Sequence, residues 1–211
     1  MRSRILIILL FFALTYTAQM QAQTSIGIIG GLNLQSVKGD APADVSYGSK
    51  PGFMIGINAE RKIANGIKLV LQPNYTLSQT KLSFDIGEEE LKDSMNVKMV
   101  FIRLPVLAKI EAFNGVTYFL SGLDFGFLQE AKIQDVNKTS EERSIKDSFE
   151  SFDLAAQFGV GVKFPIKGLL LSLEGRYSQS LLNLSKKSFD SLPSRFRLSG
   201  FQFLTNLSYN L

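Results

Sequence analysis

Eight ionisable residues, Glu60, Arg103, Lys109, Asp124, Asp153, Lys163, Glu174 and Arg176, fall where simple alternation would bring them to one surface. Acids and bases are equal in number, so their first chemistry is mutual ion pairing. Carboxylate pairs such as Asp124 with Asp153 or Glu174 offer a second, general acid–base work, and a string of such groups offers a third, a proton or ion relay. The other common reagents are missing. The chain has no His and no Cys, which removes the usual imidazole base, the commonest metal ligand and every thiolate. A hydrolase would need its carboxylates open to a cleft, and nothing in the spacing makes one. The expectation is therefore a protein that is not an enzyme and has no catalytic, cofactor or metal site. The favoured role for the eight is a structural polar network, with Arg103 set by Asp124 and Glu174 by Arg176 or a base of a neighbouring strand.

The element that positions them is a hairpin across residues 101–128, FIRLPVLAKIEAFNGVTYFLSGLDFGFL. Asn114-Gly115 at its centre tolerates positive φ at both turn positions and marks a tight two-residue hairpin. Folding about that turn sets Phe113 by Val116, Ile110 by Phe119, Val106 by Leu123, Leu104 by Phe125 and Ile102 by Phe127 on an apolar face. Arg103 by Gly126 and Pro105 by Asp124 fall on the other face, which carries charge and glycine. One apolar face is equally at home on a soluble sheet, so the hairpin alone does not decide between water and lipid.

The rest of the chain continues the pattern. Alternating strands are expected over 25–37, 53–63, 67–84, 152–164, 169–181 and 195–211, giving eight with the hairpin. Side-chain parity predicts a three-residue turn Ala64-Asn65-Gly66 with Gly66 left-handed, and an even connection Pro165-Ile166-Lys167-Gly168. Pro73 lies inside a strand without an N–H to give the ladder, which predicts a bulge or an unpaired position. The segment GIIGG (27–31) lacks the helix a phosphate-binding loop must open. Long polar connections at 38–50, 87–95, 134–148 and 183–194 alternate with short turns at 64–66, 114–115 and 165–168, the pattern of an outer-membrane barrel. The fold class is all-β: an eight-stranded antiparallel up-and-down transmembrane barrel with a narrow, filled lumen. Asn33, Asn58, Gln72, Asn74, Gln157 and Gln202 are expected to share that lumen with the eight ions, and glycines 56, 122, 126, 159 and 161 to make room for them. A soluble lipocalin-like binding barrel is the alternative, and it would need an apolar interior.

Residues 1–22 read as a signal peptide: Arg2 and Arg4, an apolar run, then small and polar residues ending at Ala22. The domain of residues 23–211 is the barrel, in the cell outer membrane. The formal charge of +4 falls to +2 without the two leader arginines, which gives no case for nucleic acid. Seventeen Phe and six Tyr suit a lipid-facing wall. The order of GLN in strand one, RLPVLAK, YFLSGLDFGFL, FDLAAQFGVGVKF, EGRYSQSLLNL and a final aromatic-alternating strand resembles the PorT-like outer-membrane β-barrel family of Gram-negative bacteria. The resemblance covers the whole mature chain. It implies outer-membrane lipid and the barrel-assembly machinery as partners, and for the founding member an accessory role among envelope secretion proteins.

Overall fold

The computed structural model describes residues 24–38, 45–84, 93–135, 142–186 and 196–211. The expected signal segment lies outside them, as do parts of all four long connections. Eleven strands follow in chain order: β1 (Thr24–Lys38), β2 (Val45–Lys50), β3 (Gly52–Ala64), β4 (Ile67–Leu71), β5 (Asn74–Phe84), β6 (Asp93–Ala112), β7 (Thr117–Asp135), β8 (Arg143–Ser144), β9 (Phe152–Ile166), β10 (Leu169–Ser180) and β11 (Arg197–Asn210). Every pairing is antiparallel. The ring runs β1, β3, β4 with β5, β6, β7, β9, β10, β11 and closes back on β1, which makes eight wall positions. Closure removes the free edge that lipid could not hydrate. Among the described residues no helix is long and apolar enough to cross a membrane.

The breaks are local. Gln72 and Pro73 part β4 from β5, yet β3 keeps one register against both pieces, and the Ile57 N–H still donates to the Pro73 carbonyl at 3.0 Å. The proline costs the ladder one donor and leaves the wall intact. The expected 38–50 connection holds a strand, β2, which pairs with β5 beyond the Pro51 break. The 67–84 strand is therefore two pieces, and the hairpin arms are longer than expected.

The turns keep the predicted register with different geometry. The pairs Ile110–Phe119, Val106–Leu123, Leu104–Phe125, Ile102–Phe127, Pro105–Asp124 and Arg103–Gly126 all form. The connection closing them is longer than two residues: Ala112–Thr117 is the last pair, and Phe113, Asn114 and Gly115 all take positive φ (49°, 56° and 81°). At 64–66, Gly66 is left-handed (φ 72°), but the turn is Asn65-Gly66 and the parity correction is a bulge between Lys62 and Ala64. The 165–168 connection tightens to Lys167-Gly168, both left-handed, with Pro165 and Ile166 paired in the sheet. These turns define one end of the barrel, the turn end; the long connections define the loop end.

Through the middle of the wall the outward side chains are almost all apolar. Ile28, Ile55, Ile57, Ile102, Phe158, Val160, Leu173, Phe201 and Phe203 are exposed. Aromatic pairs Phe53–Tyr75, Phe127–Phe152 and Tyr177–Phe201 lie with ring centroids 5.3–5.9 Å apart toward the loop end. Phe113, Phe164 and Tyr209 lie toward the turn end. An apolar outer band that carries aromatic side chains at both ends as well as in the middle suits a bilayer, and this distribution is the reverse of a soluble lipocalin-like barrel.

The loop end corrects the expectation of a polar interior throughout. There Val37, Leu82, Val97, Met99, Phe101, Leu128, Ala131, Phe149, Leu184, Phe196 and Leu198 form one buried apolar cluster. A bulge at Gln129 shifts the parity of β7 so that Leu128 and Ala131 both face inward. Phe149 and Phe196 enter from the connections and meet edge to face at 4.9 Å. Outside this cap the ions return to the surface: Glu142 meets Lys98 at 2.7 Å and Lys132 at 3.2 Å. Lys98 and Lys132 hold the Glu142 carboxyl below its ordinary pKa. The strands thus leave lipid and enter water, and the side-chain distribution inverts where they do.

Phe196→Ala removes a fully buried ring from this cap and is expected to cost about 3–5 kcal/mol. Denaturant unfolding in detergent micelles measures it, with Phe158→Ala on the lipid face costing far less; equal losses would show that the cap is not a core.

Candidate functional site

Below the cap, every wall strand carries polar side chains at inward positions, interleaved with two small buried apolar groups, Val70, Leu107 and Leu120 around Tyr118, and Ile29, Met54 and Leu204. Asn33, Asn58, Gln72, Lys109, Asp124, Asp153, Gln157, Arg103, Arg176 and Gln202 are all at most 2% exposed, and Glu60, Asn74 and Glu174 nearly so. Lys163 is less deeply placed, at the turn end, with 10% of its side chain exposed. Charges removed from water need partners, and the lumen supplies them in three connected tiers.

The tier at the turn end pairs Glu60 with Lys109 and Glu111 with Lys163. Lys68 joins the two, 2.9 Å from Glu111 and 3.9 Å from Glu60. The Lys109 ammonium also sits 4.3 Å from the centre of the Tyr118 ring, a cation–π contact.

The middle tier crosses the barrel. Arg176 donates through Nε to Glu174 at 2.8 Å and through Nη1 to Gln72 Oε1 at 2.7 Å. β10 and the β4–β5 strand stand on opposite sides of the ring, so this one guanidinium spans the lumen. The Tyr118 hydroxyl donates to Glu174 at 2.8 Å, and Gln72 donates onward to Asn58 Oδ1 at 2.8 Å. Asn58 in turn donates to Glu60 at 3.1 Å, which ties this tier to the one below.

In the tier under the cap, Arg103 donates to Asp124 at 3.1 Å and to Asp153 at 2.7 Å. Gln157 donates to Asp124 at 2.9 Å and Ser180 to Asp153 at 3.0 Å. The Arg103 guanidinium lies 4.4 Å from the centre of the Phe101 ring, so the top of the network stacks on the bottom of the apolar cap.

The long side chains lie flat because the neighbouring strand offers glycine. Arg103 pairs with Gly126, Tyr118 with Gly161 and Arg176 with Gly159. A Cβ at those glycines would come within 2.9 Å of Arg103 Nη1, 2.3 Å of the Tyr118 ring and 2.7 Å of Arg176 Cγ. Any side chain there would lift its partner off the wall.

The structure therefore brings the eight charged residues into one lumen. Arg103 meets Asp124, and Glu174 meets Arg176. Asp124 and Asp153 meet through Arg103, and Lys163 pairs with Glu111, a residue outside the eight. Sequence reasoning missed Glu111, Lys68 and Tyr118, although each shares the parity of a lumen residue on its own strand: Lys109, Gln72 and Asp124. What no parity argument could supply is which groups meet across the barrel, Gln72 with Arg176 above all.

A closed antiparallel ring with a lipid-facing apolar band and an ion-filled lumen is the construction of an outer-membrane β-barrel. Residues 18–186 match the family described as outer membrane protein beta-barrel domain, and the chain belongs to that family. It is an outer-membrane protein, and its short turns face the periplasm while the long connections face outward. Among solved structures, the attachment invasion locus protein Ail of Yersinia pestis is similar at 18% identity and TM-score 0.43, covering 90% of this chain and 100% of Ail. OprG from Pseudomonas aeruginosa is similar at 11% identity and TM-score 0.48, over 90% of this chain and 96% of OprG. Neisserial surface protein A is similar at 9% identity and TM-score 0.44, over 88% and 96%. No curated protein sequence matches the chain.

Arg103→Leu strands two buried carboxylates and is expected to lose about 3–5 kcal/mol of stability. The triple variant Arg103→Leu with Asp124→Asn and Asp153→Asn removes the stranded charge and should recover most of it. Unfolding midpoints read from heat-modifiable gel migration compare them; a triple variant no more stable than the single would show that stranded charge is not the cause.

Proposed function

We propose that the protein is a non-catalytic, non-conducting barrel with a structural or interaction role, offering its long outward connections as its working surface. The observation that carries this reading is the double closure of the lumen: Arg176 bridges Glu174 to Gln72 across the middle, and the apolar cluster around Phe101 and Phe196 covers the outer end. An ion would have to break a charged network and then enter an apolar cap, both costly steps. The same closure argues against a relay, since the ion pairs stop beneath Phe101. The lumen network is thus a filling that holds opposite walls at fixed separation.

Within its family we place the chain among PorT-like barrels on the strength of RLPVLAK, YFLSGLDFGFL and the other motifs. On that reading residues 1–22 are removed on export, the barrel-assembly machinery inserts the product, and envelope secretion proteins are its neighbours. Comparison of exported proteins between parent and deletion strains tests the last point: a retained cargo would support a secretion role, and an unchanged set would reject it.

Purified protein reconstituted in planar bilayers is expected to show no unitary conductance steps. Steps in the wild-type protein would overturn the plugged-lumen reading.

A further inference from the structure

One glycine of the wall has no evident backbone reason to be there. Gly175 in β10 lacks the left-handed φ that favours glycine, and among the described strand glycines it alone would place a Cβ with no atom within 4 Å. Its neighbours Glu174 and Arg176 face the lumen, so Gly175 faces outward, in the row of Leu171, Leu173 and Tyr177. It pairs directly with Val160 on one side and Phe203 on the other. The missing side chain therefore opens a gap in the apolar band between two large lipid-facing residues. That gap is the floor of a groove of about 660 Å³, walled by Phe119, Leu173 and Phe203 and reaching Phe113 toward the periplasm. Phe113, in the turn joining β6 and β7, is 80% exposed at the periplasmic edge of that groove.

Two features fix the occupant. The groove lies within the band that meets acyl chains, on its periplasmic half, so a lipid chain is already the solvent there. The periplasmic rim below the groove carries an exposed base, Lys167, whereas Lys68, Lys109 and Lys163 face the lumen and are paired with Glu60 and Glu111. Lys167 is exposed at the tip of the turn joining β9 and β10, the strands that cross beneath the groove. A chain seated over Gly175 would bring its headgroup toward that turn, where basic side chains attract anionic lipid. We infer that this groove is a binding site for one anionic phospholipid of the periplasmic leaflet, its acyl chain seated over Gly175 between Phe119 and Phe203 and its headgroup held near Lys167. The site rests on the outer-membrane placement and not on the plugged-lumen reading, so a conducting lumen would leave it untouched.

The test uses full-length protein reconstituted in nanodiscs of mixed phosphatidylglycerol and phosphatidylcholine, released gently and weighed by native mass spectrometry. Wild-type protein is expected to retain one phosphatidylglycerol in preference to phosphatidylcholine. Gly175→Leu fills the groove and should lower retention about tenfold, equivalent to ~1.4 kcal/mol. Thr205→Phe fills the same groove from β11 and should act alike if the first variant folds poorly. Ala108→Leu, on the lipid face of β6, should change nothing, and Lys167→Glu should abolish the headgroup preference. Retention by both groove-filling variants equal to that of Ala108→Leu would overturn the proposal. So would a wild-type dimer that either groove-filling variant turns into a monomer, since the groove would then hold a second copy. Retention of both lipids alike, unaffected by Lys167→Glu, would overturn the anionic headgroup.

Discussion

A charge inside a narrow barrel has nowhere to go but across it. This constraint organises the molecule: Arg176 reaches Glu174 and Gln72, Arg103 gathers Asp124 and Asp153, and Lys109 meets Glu60 from another wall strand. Each is buried, so none can be released to water without opening the wall. Removing one partner leaves an uncompensated ion, which is why such pairs specify a structure even where their net contribution is small. Below the cap the network takes the place of most of the apolar core that a soluble domain of this size would have, because most apolar side chains there are committed to the outer face.

That commitment is not uniform along the axis. In the bilayer the wall turns most aliphatic and aromatic side chains outward and sets the ions inward, beside two small buried apolar groups. Beyond the bilayer, on the side of the long connections, Lys98, Lys132 and Glu142 stand outside while Val97, Met99 and Phe101 turn inward. β6 passes through both regimes without a change of parity: Phe101 and Arg103 face the same way, one into the cap and the other into the ion network. The stacking of Arg103 on Phe101 marks the boundary between a polar interior suited to lipid surroundings and an apolar interior suited to water.

Much of this was legible in the residues. Alternation of period two fixes which side chains share a face, and the Asn114-Gly115 signal fixes the central register, so the expected pairs from Ile102–Phe127 to Ile110–Phe119 are present, while Phe113 and Val116, expected to pair, lie in a turn wider than two residues. The wider turn was not readable because it depends on Phe113 accepting a left-handed backbone, which sequence rules discourage. At Lys62 and Ala64 the demand of parity was sound, but a bulge in the strand satisfied it in place of an extra turn residue. The apolar cap was missed because its members come from strand ends and connections far apart in sequence, such as Val37, Phe149 and Phe196. Polar connections give no periodic signal, so their few buried aromatics look incidental until the chain closes.

The claim on which the account stands is that successive residues of a wall strand see lipid and lumen in turn. The chain contains no cysteine, so single cysteines along residues 201–207 of β11, a stretch without glycine, can carry a nitroxide spin label without background. Power-saturation measurements in liposomes with oxygen and a water-soluble nickel chelate should show strict alternation: positions 201, 203, 205 and 207 open to oxygen, and positions 202, 204 and 206 open to neither reagent. High nickel accessibility at 203 and 205, or a loss of the two-residue period, would contradict it.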